Sequence, residues 1–262
     1  MAQAAITLHE DKESLRGKVS EAEWDARVEL AAAFRICYAR GWNSSTANHM
    51  TSRVPDQPDT FLMNASVYAW DEITASNLLK LDHDCNVLGD TDLKPRPAGL
   101  NFHSALQREK PEIGCTLHLH PIDGVVVSAL EEGLMFYDQG SCGVYGQVTY
   151  HDFEGLAQEA DEAPRILADL GDRHAMIMRN HGLLTVGRTV PEALAYMDRL
   201  AHACKVQSQV LAANATPRRL SQETLEWTAR QMAERAGNKP IGDVEFQACV
   251  RRLVREDPSF MQ

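Results

Sequence analysis

The stretch IGCTLHLH, residues 113–120, alternates apolar and more polar side chains. A period of two is typical of a β-strand, in which successive side chains point to opposite faces of the sheet. His118 and His120 therefore project from the same face. Two parallel imidazoles one residue apart can bind a single metal ion.

A third ligand is suggested by the sequence Asn-His-Gly at residues 180–182. Strand-like segments lie on both sides of it, so these residues are expected to form a tight turn in which Gly182 tolerates a positive φ. His181 would then be presented by the turn rather than packed inside. Spacing alone leaves two interpretations open: a metal site, or ordinary core and surface histidines.

Helices and strands are expected on either side of this centre. Ser20 and Glu23 form a capping-box pattern, which predicts the start of a helix that ends at Gly41. Another helix is expected to begin at Thr189. Further predicted helices cover residues 71–79, 97–109 and 153–170, and further predicted strands cover residues 61–64, 148–151 and 175–179.

The expected domain organisation is simple. We expect a loose arm over residues 1–19, one globular domain over residues 20–213 and a helical extension over residues 214–262. The extension could pack on its own domain or dock on a neighbouring copy.

The charge and cysteine content narrow the class of protein. Acidic residues outnumber basic ones by 37 to 26, for a formal net charge of -11, and the basic residues are scattered. Nucleic acid and anionic membranes are therefore not expected partners. Six cysteines without a CxxC pair, and no long apolar run, favour a cytoplasmic protein with reduced thiols.

Several stretches resemble the class II aldolase and adducin head-domain family, over about residues 20–213. They are TANHMTSRVP (46–55), FLMNASVYAWDEITASNLLKLD (61–82), FHSALQREKPEIGCTLHLHP (102–121), RNHGLLTVGRTVPEAL (179–194) and the helix that follows. The resemblance implies an α/β fold with three layers, α/β/α, around a largely antiparallel sheet.

The same resemblance implies a metal centre. In enzymes of this family, three histidines from an HxHP-like strand and an NHG-like turn bind a divalent ion, and these correspond to His118, His120 and His181. Zinc is the expected cofactor, with manganese, iron and cobalt as alternatives. Family members are commonly homotetramers, so a homotetramer is expected here.

The chain departs from the sugar-phosphate aldolases at three points. The glutamate that moves protons in those enzymes corresponds to Gly99, and the two serines before it correspond to Pro97 and Ala98. The threonine-glycine turn that binds phosphate corresponds to Ser66 and Val67. Together these losses argue against a phosphorylated sugar as substrate.

Two residues are candidates to replace the missing acid or base. His103 lies one helical turn after Gly99 and could shuttle protons near neutral pH, or could only hydrogen-bond the backbone. Tyr137 is a candidate acid, although the matching family tyrosine falls two residues later, at Gln139. 

Two further residues are candidates for substrate binding. Asn48 and Ser66 match pocket-lining positions of the family. Arg53 belongs to the same loop motif as Asn48, and is equally suited to a structural role.

These observations favour a lyase that acts on a small non-phosphorylated hydroxy-carbonyl or carboxylate. Aldol cleavage and decarboxylation, each through a metal-stabilised enolate, both remain open. The alternatives are a non-catalytic adducin-like binding or assembly module, and a metal-dependent oxygenase. An aromatic acid would suit the pocket if aromatic residues line it. The candidates are Tyr68, Trp70, Phe136 and Tyr137.

Overall fold

The computed structural model describes residues 13–156, 161–237 and 240–262. Most of the predicted arm, residues 1–19, lies outside the described residues. The helices are α1 (Glu21–Ala39), α2 (Leu100–Glu109), α3 (Ile122–Ser128), α4 (Ala163–Leu170), α5 (Val190–Ala212), α6 (Gln222–Ala236) and α7 (Asp243–Glu256). The strands are β1 (His49–Val54), β2 (Gln57–Met63), β3 (Leu79–Asp82), β4 (Val87–Leu88), β5 (Cys115–Leu119), β6 (Val148–His151), β7 (Ala175–Met178) and β8 (Gly182–Gly187).

The eight strands form one sheet in the order β4-β3-β2-β1-β5-β8-β7-β6. Every neighbouring pair is antiparallel except β6 and β7, which run parallel. The predicted α/β fold with a largely antiparallel sheet is confirmed. The order places β1, β5 and β8 at the centre of the sheet, which is where the candidate histidines lie.

Helices cover both faces of the sheet. Leu117 and Leu119 of β5 belong to the large core that includes residues of α1, α3 and α5. On the other face, Leu184 and Val186 of β8 pack with residues of α2 and α4 in a smaller core. Because side chains alternate along a strand, His118 faces the α2 side of the sheet. The three-layer arrangement follows from these two cores.

Helix α1 starts where the capping pattern predicts. The Ser20 hydroxyl accepts a hydrogen bond from the Glu23 amide at 3.1 Å. The Glu23 carboxylate does not complete the capping box, because it is buried and bonds instead to Arg27 and Lys80, at 2.8 and 2.7 Å. A buried carboxylate with two cationic partners fixes α1 against β3.

One predicted helix is absent, and two predicted helix starts were wrong. Residues 71–79 form turns that lead into β3, because Asn77 bonds through its side chain to the backbone of Thr74 and Glu72, at 2.9 Å each. Such local bonds compete with helix formation. Helix α2 begins at Leu100 rather than residue 97, after Gly99 with a φ of 80°. Helix α4 begins at Ala163 rather than residue 153.

The C-terminal segment packs on its own domain. Phe246, Leu253 and Phe260 are buried in the large core. Arg35 of α1 donates hydrogen bonds to Asp257 and Ser259, at 3.0 Å each. Within the described ranges, no helix has both the length and the apolarity needed to cross a bilayer.

One of the candidate pocket aromatics, Trp70, lies in the core. Trp70 is fully buried and packs edge-on against Phe34, with ring centroids 4.8 Å apart. Trp70, one of the candidate aromatic residues for the pocket, is therefore part of the core.

Candidate metal centre

Three histidine rings converge at the end of β5 and the β7–β8 turn. Ring centroids are 4.8 Å apart for His118 and His120, 4.7 Å for His118 and His181, and 4.8 Å for His120 and His181. One nitrogen from each ring falls within 4.8 Å of the other two. The structure therefore brings together the three residues that the sequence proposed as ligands.

The local backbone explains how the rings come so close. Asn180 has the left-handed backbone of the turn, with a φ of 53°, and Gly182 does not. The predicted reason for Gly182 was therefore wrong. A Cβ at Gly182 would lie 2.4 Å from Cδ2 of His120 and 2.8 Å from the carbonyl oxygen of Leu119. Gly182 is needed because β8 passes directly beside the His120 ring.

The donor atoms suit a divalent ion. Nδ1 of His118 lies 3.2 Å from the carbonyl oxygen of Leu183, which can only accept, so Nδ1 carries the proton and Nε2 keeps its lone pair. The Nε2 atoms of His118 and His120 are 3.0 Å apart. Two imidazole nitrogens that each bind one ion at about 2.0–2.1 Å come to about this separation. The triad therefore fits the expected metal.

The same rings are held in the neutral form. Burial, together with the nearby His181, lowers the pKa of His120 to about 4. Burial is also the main cause that lowers the pKa of His118 and of His181. Neutral imidazoles can bind a metal ion near neutral pH without first losing a proton.

His49 belongs to the site although no sequence motif pointed to it. It lies directly across from His118 in the register of β1 and β5. The two rings stack with centroids 5.2 Å apart. A Cβ at Gly99 would lie 2.2 Å from Cε1 and 2.5 Å from Nε2 of His49. The His49 ring therefore fills the space that a side chain at position 99 would need. Only the strand pairing shows this, and strand register is not readable from one sequence.

His103 lies behind His49. Its Nε2 is 2.8 Å from Nδ1 of His49, and its Nδ1 is 2.9 Å from the hydroxyl of Thr51. His103 is fully buried, and both ring nitrogens have a partner. Burial is the largest cause that lowers the pKa of His103 and brings the pKa of His49 to about 3. His103 therefore contacts the metal site through His49.

A group of polar atoms beside His49 has no partner among the described residues. The Asn48 side-chain oxygen accepts from the Ser44 amide at 2.9 Å, which leaves its buried Nδ2 without a hydrogen bond. Oδ1 of Asn64 and Nε of Arg96 are also buried without one. Arg96 donates a hydrogen bond to the Thr46 hydroxyl at 3.2 Å, and its charge helps to lower the pKa of His49.

Other predicted pocket residues make different contacts. The Ser66 hydroxyl and amide both donate to the carbonyl oxygen of Lys94, at 3.2 and 3.0 Å. Arg53 donates to the carbonyl oxygens of Ile113 and Gln107, so its role is structural. Tyr137 is half-buried in the loop before the 3-10 helix Ser141–Val144. Among the described residues, no aromatic ring contact joins Tyr137 to the triad.

Known proteins are similar in sequence to this chain over most of its length. The family model for the class II aldolase and adducin N-terminal domain matches residues 28–208. A protein of Caulobacter vibrioides named after class 2 aldolases is 39% identical over 94% of this chain and 96% of its own length. Alpha-adducin of Rattus norvegicus is 33% identical, in a match that covers 87% of this chain and 32% of the length of adducin.

Solved structures agree with the sequence comparisons. An aldolase II superfamily protein from Pseudomonas syringae has a TM-score of 0.90 and 38% identity, over 95% of this chain and all of the other. The L-fuculose 1-phosphate aldolase of Glaciozyma antarctica has a TM-score of 0.80 and 26% identity, over 92% of this chain and 93% of its own. The chain belongs to the class II aldolase and adducin N-terminal domain family.

Proposed function

We propose that this protein is a metal-dependent carbon–carbon lyase for a small, non-phosphorylated hydroxy-carbonyl or carboxylate substrate. One observation carries the proposal: one nitrogen from each of three imidazoles converges on one point, and among the described residues no carboxylate belongs to this group of ligand atoms. A divalent ion bound there would keep most of its positive charge, which favours an anionic substrate.

The triad is proposed to hold zinc or a similar divalent ion, which when bound would polarise an oxygen of the substrate as a Lewis acid. The chain's own residues fix where that happens. The Leu183 carbonyl holds the tautomer of His118, and Gly182 lets the His120 ring approach. Burial keeps both rings neutral, so the metal-binding nitrogens are preorganised in the absence of substrate.

The atoms without partners beside His49 are proposed to bind the far end of the substrate. Nδ2 of Asn48 and the Arg96 guanidinium are both hydrogen-bond donors, and no described carboxylate lies within 4.0 Å of Arg96. A buried donor without a partner costs about 1–3 kcal/mol, which a bound carboxylate would recover. This supports Asn48 as a substrate-binding residue and adds Arg96. Ser66 remains a predicted contact at the edge of the same region.

Proton handling is proposed to differ from that of the sugar-phosphate enzymes. No side chain at position 99 can carry a proton, and His49 fills that volume. His103 is proposed to fix the orientation of His49 by hydrogen bonding to its Nδ1. The hydroxyl of Tyr137 is proposed as a late proton donor. Decarboxylation needs only charge stabilisation and such a donor, whereas aldol cleavage also needs a base for the substrate hydroxyl.

The test is a substrate screen on zinc-loaded protein. Matched pairs of 3-oxo acids, 2-hydroxy acids and aldols, with and without a phosphate group, would be followed by product analysis. We expect turnover of a non-phosphorylated carboxylate. The value of kcat/KM should fall at least 100-fold in His118→Ala and 10-fold or more in Arg96→Gln. The main effect of Arg96→Gln should be on KM. Tyr137→Phe should lower kcat and leave KM unchanged. Preference for the phosphorylated member of a pair would contradict the proposal.

One observation favours a second candidate, an adducin-like binding module. The acid of the family's sugar-phosphate aldolases is absent at Gly99, and alpha-adducin is among the relatives. A binding module has no need of three neutral histidines that converge on one point. Protein that binds no zinc after reconstitution and turns over no member of the screen would favour this candidate over the lyase.

A further inference from the structure

A second group of ligand atoms lies outside the triad, between the end of β6 and the start of α4. One ring nitrogen of His151 and one carboxylate oxygen from each of Glu154 and Glu162 fall within 4.8 Å of one another. His151 and Glu162 are buried, with 3% and 6% of their surfaces exposed, and Glu154 is exposed. The proposed lyase chemistry uses none of these side chains.

The hydrogen bonds of His151 show which nitrogen is available. Its Nδ1 lies 2.7 Å from Oδ2 of Asp169, an acceptor, so Nδ1 carries a proton and donates it. Its Nε2 is buried and has no hydrogen-bond partner among the described residues. A histidine that donates one ring N–H to a carboxylate and keeps the other nitrogen free has the arrangement of a typical metal ligand.

The free nitrogen faces another acceptor. Nε2 of His151 lies 3.5 Å from Oε1 of Glu162. A lone pair and a buried carboxylate oxygen repel each other unless a proton or a cation lies between them. Two carboxylates and one imidazole, supported by a third carboxylate behind the ring, make a donor set that suits zinc or manganese.

From this geometry we propose that His151, Glu154 and Glu162 form a second divalent metal site, in which Asp169 positions His151. Nothing in the lyase proposal requires it. The site lies beside the triad, since the Phe153 ring is 6.0 Å from that of His181. An ion there would join β6 to α4 next to the turn that presents His181.

Two features compete with the ion. The Nε–H of Arg165 is shared between the two carboxylate oxygens of Glu154, at 2.8 and 3.0 Å, and Nη2 donates to Oε2 of the same carboxylate. The guanidinium therefore neutralises part of the charge. A proton on Nε2 of His151 could also bridge to Glu162. The described acidic groups around Arg165 and His151 still outnumber these cations. They are Glu154, Asp161, Glu162 and Asp169.

The experiment counts zinc per chain. Full-length protein is stripped with a chelator, reloaded with Zn²⁺ and desalted, and its zinc is measured by plasma mass spectrometry. Four variants are compared: Glu162→Gln, His118→Ala, the double variant, and Glu131→Gln as a control that neutralises an exposed glutamate elsewhere. Circular dichroism checks that each is folded.

We expect two zinc ions in the wild type and in Glu131→Gln, one in each of the other single variants and none in the double variant. Asp169→Asn should keep the fold and weaken the second zinc by 10-fold to 100-fold. One zinc in both the wild type and Glu162→Gln would overturn the proposal, because it would mean that a proton holds His151 and Glu162 together. Two zinc ions retained by Glu162→Gln would overturn it as well.

The number of zinc ions per chain in each variant tests the second site independently of the proposed lyase function. If His118→Ala keeps all of its zinc while Glu162→Gln loses one ion, the triad fails as a metal centre and the second site stands. If the reverse holds, the triad stands and the second site fails.

Discussion

The His49 ring occupies the space that a side chain at position 99 would need. The site therefore cannot use an acid or a base at position 99. A side chain at position 99 would collide with the His49 ring at 2.2 Å. The backbone of Gly99, at a φ of 80°, also disfavours any residue with a Cβ. The family's glutamate therefore cannot be restored by a single substitution.

Gly99→Glu should lower the free energy of unfolding for two separate reasons. Overpacking against His49 costs roughly 1–3 kcal/mol, and the left-handed backbone costs about 1–2 kcal/mol more. Urea unfolding of the wild type, Gly99→Glu, His49→Ala and the double variant measures the coupling. We expect the loss from Gly99→Glu to be smaller by roughly 1–3 kcal/mol when His49 is already alanine.

Gly41→Glu is the matched control. Gly41 has a φ of 67°, and a Cβ there would meet no atom within 4 Å. It should therefore show only the backbone cost. Equal losses at Gly41 and Gly99 would contradict the account of a shared volume.

His49 should make the metal-free protein sensitive to acid. Burial lowers its pKa to about 3, whereas a histidine in the unfolded chain titrates near about 6.5. Between these values the unfolded state binds more protons than the folded state, so stability falls as pH falls. The contribution of His49 should be about 1.4 kcal/mol per pH unit below pH ~6.5.

Urea unfolding in chelator, from pH 7.5 to 4.5, measures this slope. The free energy of unfolding of His49→Asn should depend less steeply on pH than that of the wild type, by about the slope of one titrating proton. The reason is that asparagine does not titrate. If the two slopes are the same, His49 is not held neutral by the fold.

At the scale of elements, β8 depends on Gly182 for its approach to His120. Gly182→Ala places a Cβ 2.4 Å from that ring, so the ring must move away from the metal position. We expect zinc affinity to fall by 10-fold to 100-fold while the protein stays folded. Competition with a chromophoric chelator measures the affinity.

Gly187→Ala tests whether the effect is specific. Gly187 is at the other end of β8, where a Cβ would meet the backbone amide nitrogen of Ala193 at 2.5 Å. This variant should lose stability without a change in zinc affinity per folded molecule. A similar loss of zinc affinity in both variants would mean that any disturbance of β8 lowers it, and would contradict a specific role for Gly182.

Elements with a strong local signal were predictable. The alternation around His118 and the caps at Ser20 and Thr189 each rest on residues within a few positions of one another, and the structure shows the strand and both caps. Residues 71–79 could not be predicted in this way. Their helical pattern is overridden by side-chain bonds of Asn77, and propensity carries no information about those bonds.

At the scale of the molecule, the site depends on which strands become neighbours. The three ligand histidines could be proposed from motifs, but His49 could not, because its place opposite His118 follows from the pairing of β1 with β5. Arg96 was missed for a related reason: it comes from the loop before α2 and reaches Thr46 only after folding. Long-range pairing sets these contacts, and one sequence does not reveal it.

Oligomeric state is a further prediction at this scale. The homotetramer implied by the family resemblance should appear in light scattering as a mass four times that of the 29.1 kDa chain. Ile122 and Val126 of α3 expose apolar side chains on one helix face and are candidates for an interface. Ile122→Glu should lower the mass if this face is used, and a monomeric wild type would contradict the expectation.

The most direct test of the central claim is the zinc content of the triad. Wild type, His118→Ala and His181→Ala would be stripped, reloaded with zinc and analysed by plasma mass spectrometry, with circular dichroism to confirm that each is folded. We expect each variant to carry one zinc per chain fewer than the wild type. Folded variants that hold as much zinc as the wild type would contradict it.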